Sequence, residues 1–140
     1  MFAPPGAHAA SGAETLTSLA AAIDEFANAR SVDDVRRLVP RAARRVTGAD
    51  GASLILREGG ECCYVDEDSI EPLWKGSRLP MENCISGWAM LHGEPATVED
   101  VFDDPRIPQD LYRPTFVKSL LVVPIRVRAP LGAIGMYWAQ

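Results

Sequence analysis

The most constraining feature lies near the end of the chain, where residues 119–127 and 131–139 form two apolar runs joined by a tight turn around Ala129-Pro130. Successive side chains of a strand point to opposite faces, so a strand with one wet face alternates apolar and polar residues. Here both parities are apolar: Leu120 and Val122 on one, Leu121 and Val123 on the other, and likewise Ala133 and Tyr137 against Ile134 and Met136. The pair therefore reads as a hairpin of strands covered on both faces. Pro124 cannot donate to a ladder, which predicts a bulge or a local edge there.

The start of the chain has the other period. From Glu14 to Arg30 the residues Leu16, Leu19, Ile23 and Phe26 recur at steps of three and four, one stripe of a helix, with Ala20, Ala21, Ala22 and Ala27 around it. Ser31 is a good N-cap for a second helix, with Asp33 and Asp34 in its positive first turn. Val32, Val35, Val39, Ala42 and Val46 make its expected buried face; Arg36, Arg37, Arg41, Arg44 and Arg45 cover the rest. Pro40 predicts a kink or a break, and Gly48 a stop. Period two then takes over at residues 52–57, where Leu54 and Leu56 alternate against Ser53, Ile55 and Arg57. A turn at Gly59-Gly60 and a return over 61–65 complete a hairpin. A polar stretch with the acidic run Asp66, Glu67 and Asp68 leads to Pro80. Residues 84–92 read as a short helix stopped by Gly93, 96–98 as a short strand, and 103–114 as loop punctuated by Pro105, Pro108 and Pro114. Helix, helix, hairpin, mixed middle and hairpin predict an α+β fold with a mainly antiparallel sheet.

With 140 residues, 47% of them hydrophobic and 24% charged, the chain has the size and make-up of one folded domain. We divide it into a disordered leader, 1–12, and one domain, 13–140. The leader carries Pro4-Pro5-Gly6 and lacks the basic-then-apolar pattern of a secretory signal. A formal net charge of -5 argues against a general nucleic-acid binder, and no apolar run is long enough to insert in a membrane. Three cysteines form no even framework, which fits a reducing, cytoplasmic setting.

Several separated segments resemble GAF domains. Asn83-Cys84-Ile85-Ser86-Gly87-Trp88-Ala89, Glu94-Pro95-Ala96 and Val98-Glu99-Asp100-Val101 are similar to the middle of that family. Asp104-Pro105-Arg106-Ile107-Pro108 and Tyr112-Arg113-Pro114-Thr115-Phe116-Val117-Lys118-Ser119 resemble GAF modules found ahead of bacterial sensor histidine kinases, and Leu121-Val122-Val123-Pro124-Ile125 with Gly132-Ala133-Ile134-Gly135 also fit. The resemblance runs from about Ser31 to Gln140. It implies a central antiparallel sheet with the N-terminal helices on one face and a pocket of short helices and loops on the other. It also implies a closing helix after the last strand, so the sequence given reads as truncated before that helix.

Each chemistry known in that family requires residues that can be checked here. A nucleophile needs a base and an orienting third group. The chain has two histidines: His8 in the leader, and His92 at a helix C-terminus, where the dipole favours it for structural reasons over a catalytic or haem-ligand role. Cys62 and Cys63 fall on opposite faces of a strand, so one packs in the core, and the spaced pairs of a zinc site are absent. The family members that reduce free methionine sulfoxide carry a cysteine where this chain has Ser86, and another near residues 116–119, where it has none. Cys84 is the remaining redox candidate, with a packed structural thiol as the simpler reading. No cysteine or histidine suited to attach a bilin follows the Asp104-Pro105 stretch, and the polar signature of cyclic-nucleotide binders is not recognisable. The cofactor is left unknown, and no catalytic residue or metal site is assigned.

Trp88, Phe102, Tyr112 and Phe116, with Arg113 and Lys118 beside them, are the ligand-binding candidates, because aromatic walls and a few polar groups build small-molecule sites. Core packing is the competing reading of the aromatics. For Arg113 it is an ion pair to Asp103, Asp104 or Asp110 instead of a grip on a carboxylate or phosphate. Glu99, Asp100, Asp103 and Asp104 read as a solvated loop before a cation site. The expectation is a sensory, regulatory input domain of a bacterial signal-transduction protein, a two-component histidine kinase above all. It would bind a small molecule or transmit changes in dimer packing, as a homodimer joined through the N-terminal helices. Any kinase activity would lie in a segment outside this sequence. The alternatives are a structural dimerisation domain with a collapsed pocket and, less favoured, a thiol-dependent methionine sulfoxide reductase.

Overall fold

Ser11 opens the first helix with a capping box: its hydroxyl accepts from the Glu14 N–H at 3.1 Å, and its own N–H donates to the Glu14 carboxylate at 3.3 Å. The computed structural model describes residues 11–126 and 128–140. Most of the expected leader, with His8, lies outside the described residues, as does Val127. Ser11 and Gly12, also assigned to the leader, instead start α1 (Gly12–Ala27). α2 (Val32–Thr47) is capped by Ser31 and stopped by Gly48, whose φ of 71° suits glycine. Pro40 does not break it. Its ring is fully buried and α2 runs on to Thr47, at the cost of one ladder bond to the exposed Arg36.

α1 packs on α2, and α2 lies over the sheet. Only the second half of the expected α2 face is covered, from Val39 onward; Val32 and Val35 are 68% and 40% exposed. The reason is that both neighbours engage that half: Glu25 of α1 pairs with Arg45 at 3.1 Å, and Phe26, Val39, Ala43, Val123 and Ile134 line a shared apolar groove of about 350 Å³.

The sheet has six strands: β1 (Gly51–Glu58), β2 (Glu61–Ser69), β3 (Arg78–Pro80), β4 (Ala96–Val98), β5 (Ser119–Ile125) and β6 (Gly132–Trp138). Their order is β3-β2-β1-β6-β5-β4, with every neighbouring pair antiparallel. The acidic run that opens the polar stretch continues β2 beyond the expected return over 61–65, with Asp66, Glu67 and Asp68 opposite Leu54, Ser53 and Ala52, past a register shift at Leu54/Ile55. Each acid is neutralised from outside the run: Asp66 by Lys75 (3.2 Å), Asp68 by Arg44 (3.5 Å), and Glu67 by backbone N–H groups. β4 begins opposite Val122 and runs toward Leu120, so Pro124, paired with Ala133 on its other side, sits on a local edge.

The two-faced pattern of the closing hairpin is used as its residues demand. Ala52, Leu121, Met136 and Trp138 pack beneath α2, while Ile55, Leu120, Val122, Ala133 and Tyr137 belong to a larger core on the opposite face. That second face is covered by α3 (Ile85–His92), by the single turn α4 (Gln109–Tyr112) within the expected loop, and by the segment between β2 and β3. A 3-10 turn, Met81–Asn83, leads into α3, and Gly93 stops it with φ 64°. No helix among the described residues is long and apolar enough to cross a membrane.

Candidate functional site

Under α3 the sheet carries an aromatic cluster that its flanking loops complete. Trp74, on the segment between β2 and β3, has ring centroids 5.8 Å from Tyr64, 4.8 Å from Tyr112 and 5.2 Å from Tyr137. All four residues are buried. Glu67 holds that segment in place. Its carboxylate accepts the successive backbone N–H groups of Leu73 (2.8 Å), Trp74 (3.0 Å) and Lys75 (2.9 Å), and the indole N–H reaches the Leu111 carbonyl at 3.3 Å. A turn of consecutive N–H groups is a site for an anion, and here the chain supplies its own.

The phenols answer to this burial. Desolvation pushes the hydroxyls of Tyr64, Tyr112 and Tyr137 well above the ordinary tyrosine range, so all three are neutral donors. The Tyr64 hydroxyl lies 3.3 Å from the Ser86 hydroxyl at the start of α3. Beside it, Cys84 caps α3 with its sulfur 3.3 Å from that of Cys62 in β2. The Cys84 thiol is drawn down to about 7, first by its hydrogen bond with Cys62 and then by the backbone N–H of Gly87, the Tyr64 hydroxyl and the N–H of Ser86, which together outweigh its burial. The same contact pushes Cys62 far up. Gly87 lets this corner close: a Cβ there would sit 2.5 Å from the Met81 carbonyl carbon and nearer still to its oxygen.

The six ligand-binding candidates do not converge. Tyr112 alone is fully inside the cluster, and Phe116 is half-buried against the same core. Trp88 is also half-buried against that core, with His92 stacked on it at 4.3 Å and the Arg106 guanidinium 4.5 Å from its centroid. Phe102 is 41% exposed, because its turn is closed by its own N–H to Asp100 and not by core contacts. Arg113 is exposed and paired with Asp110, the ion-pair reading of that residue. Lys118 is exposed, and its backbone bonds to Trp138 and Val101. Of the acidic loop residues, Asp104 grips Arg106 through two bonds of 3.0 and 2.8 Å, and that guanidinium holds its carboxyl below the usual range. No group of three or more His, Cys, Asp or Glu able to hold a metal occurs among the described residues.

Trp74, Glu67, Tyr64, Tyr137 and Cys62 were missed as site residues. Trp74 stands in a polar stretch with no periodicity, and its one sequence signal is being a large aromatic between Leu73 and Lys75 where a solvated loop needs none. The sequence places one of Cys62 and Cys63 in the core without saying which, and nothing in it brings Cys84 to Cys62.

The fold has close parallels among solved structures. The GAF domain of a phosphoenolpyruvate-protein phosphotransferase (ptsP) from Coxiella burnetii is similar with TM-score 0.79 and 20% identity, over 94% of this chain and 81% of that one. The GAF domain of the Acinetobacter phosphoenolpyruvate-protein phosphotransferase gives 0.77 and 17%, over 94% and 80%. A free methionine-R-sulfoxide reductase from Neisseria meningitidis, solved with its substrate, also gives 0.77 and 17%, over 100% and 82%. No curated protein matches by sequence. The model of the GAF domain family matches residues 29–140. With that match spanning most of the chain, and the curled antiparallel sheet and its helices agreeing with it, the chain belongs to the GAF domain family, a regulatory and sensory fold.

Proposed function

We propose that the chain is a cytoplasmic input domain of a bacterial signalling protein, of the two-component histidine kinase kind, that works as a homodimer and passes on changes in helix packing. The observation that carries this is the apolar stripe Leu16, Leu19 and Ile23 on α1, all on the surface, with Leu16 68% and Ile23 61% exposed; Val32 and Val35 of α2 are exposed as well. Exposed apolar surface repeated along one helix face suits an interaction site. The opposite face supports the same reading, since Trp74 and Tyr112 occupy the space beneath α3. A small molecule entering there would have to displace the Trp74 segment. It would act by binding the displaced arrangement more tightly than the closed one.

Light scattering tests the proposal. The expected result is a dimer that Leu16→Asp with Ile23→Asp converts to a folded monomer; a strict monomer at high concentration refutes it. A second reading, thiol-dependent reduction of methionine sulfoxide, is favoured by the Cys62–Cys84 pair, with Ser86 in the position of a reductase cysteine against it. Turnover of free methionine sulfoxide that Cys84→Ser abolishes would establish that reading, and no turnover would remove it.

A further inference from the structure

Cys62 and Cys84 come from different elements, the middle of β2 and the cap of α3, and meet in the core with their sulfurs 3.3 Å apart. A disulfide bond is about 2.05 Å long, so joining them needs a movement of little more than 1 Å. Their surroundings are unequal. Cys62 is fully enclosed, whereas Cys84 keeps 4% of its surface beside the exposed Glu82 and Asn83. Cys84 also has donors aimed at it, from Cys62, Tyr64 and the first N–H groups of α3, which favour its thiolate. A thiol at the edge of the core with an anion-stabilising shell, backed by a second thiol with no exposed surface, is the arrangement of an attacking and a resolving cysteine. Cys63 does not take part. It points to the other face of β2, toward Glu58 and Arg78, with its thiol pushed up by burial and by Glu58.

The geometry points to Cys62 and Cys84 as a redox modification site, closed to a reversible disulfide by a small hydroperoxide. The Cys84 thiolate attacks the terminal oxygen of the hydroperoxide. The O–O bond breaks, the alcohol (water, from hydrogen peroxide) leaves with a proton, and Cys84 becomes a sulfenic acid. Cys62 then gives up its proton and attacks the Cys84 sulfur; the S–O bond breaks and the hydroxide leaves as water with that proton. Two thiols are oxidised by two electrons in all, and one hydroperoxide is reduced. The bond ties β2 to the start of α3 and closes the loop that carries Trp74, so oxidation stiffens the covering layer of the sheet. The site rests neither on the signalling reading nor on turnover of methionine sulfoxide.

The experiment uses the reduced full chain and one equivalent of hydrogen peroxide, followed by intact mass and a non-reducing peptide map. The expected result is loss of two hydrogens per chain, a single Cys62–Cys84 cross-linked peptide, and full reversal by dithiothreitol. Cys63→Ser leaves this outcome unchanged, and Cys62→Ser stops at a sulfenic acid on Cys84 that dimedone traps. No loss of hydrogens under excess peroxide, a link through Cys63, or a link between chains overturns the proposal. The wild-type and Cys63→Ser measurements decide it even where Cys62→Ser fails to fold.

Discussion

Replacing Gly87 by alanine should reverse the usual sign of that substitution in a helix. Gly87 is the third residue of α3, with no positive φ to require glycine, so helix propensity alone favours alanine by about 1 kcal/mol. The added methyl would meet Met81, with its carbonyl carbon at 2.5 Å and its Cα at 2.6 Å, where ordinary contact begins at 3.4 Å. The obstacle is backbone, with the carbonyl oxygen nearest of all, and it cannot rotate aside, so α3 must retreat until that oxygen is cleared. Cys84, Ile85 and Ser86 are buried at the same corner, and the retreat loosens all three. Overpacking of this kind costs about 1–3 kcal/mol, and a backbone obstacle belongs at the upper end. Against the propensity gain, the net is a destabilisation of about 2 kcal/mol, which lowers Tm by about 6–8 °C for a domain of this size. Guanidinium unfolding of wild type, Gly87→Ala and the control Gly12→Ala measures it. Gly12 has nothing within 4 Å of a built Cβ, so its alanine variant should be neutral or stabilised by up to about 1 kcal/mol. A Gly87→Ala protein as stable as wild type would refute the argument that this glycine exists for the approach of α3 to Met81.

Glu67→Gln should free the Trp74 segment, because an amide has one acceptor oxygen where the carboxylate uses both to bind three N–H groups. A loss of about 2–3 kcal/mol is expected, with faster hydrogen exchange at residues 73–75; unchanged protection there would count against the anchoring role. Raising the pH tests the buried phenols. Their folded pKa values are raised, so the unfolded chain loses its protons first, near pH 10, and the native state then binds more protons than the unfolded one. Stability is therefore whole below pH 10 and falls above it, by up to about 4 kcal/mol per pH unit if all three stay protonated in the fold. Denaturation at stepped pH with phenolate absorbance measures this, and three phenols titrating near pH 10 in the folded protein would refute it.

The parts of the fold legible in the sequence are those where one element declares its own cover. The closing hairpin announced two buried faces by its double parity, and Gly48 and Gly93 marked helix ends by chemistry local to them. The errors came where partners arrive from elsewhere. The expected return strand stops at Val65 because Asp66, Glu67 and Asp68 suit a strand only once Arg44, Lys75 and three amides are brought to them. Val32 and Val35 have the right spacing for a buried face, yet spacing says nothing about how far along a helix its neighbours reach. The site was harder for the same reason. The region from Trp88 to Lys118 was located by resemblance, but which side chains turn inward depends on backbone direction in irregular segments. There Tyr112 points in while Phe102 and Arg113 point out.

The strand order has a consequence for how the protein is made. β1 has its second edge filled by β6, which lies far along the sequence at Gly132–Trp138. A chain emerging from the ribosome can form the β1–β2 hairpin early, but that hairpin must wait, with one row of backbone groups unpaired, until β6, beginning at Gly132, has been made. An unpaired edge is a template for other chains, and contacts so distant along the sequence form slowly. The seven-residue strand β6 is thus the keystone of the sheet, and loss of it would leave a three-stranded piece, β3-β2-β1, apart from the pair β5-β4.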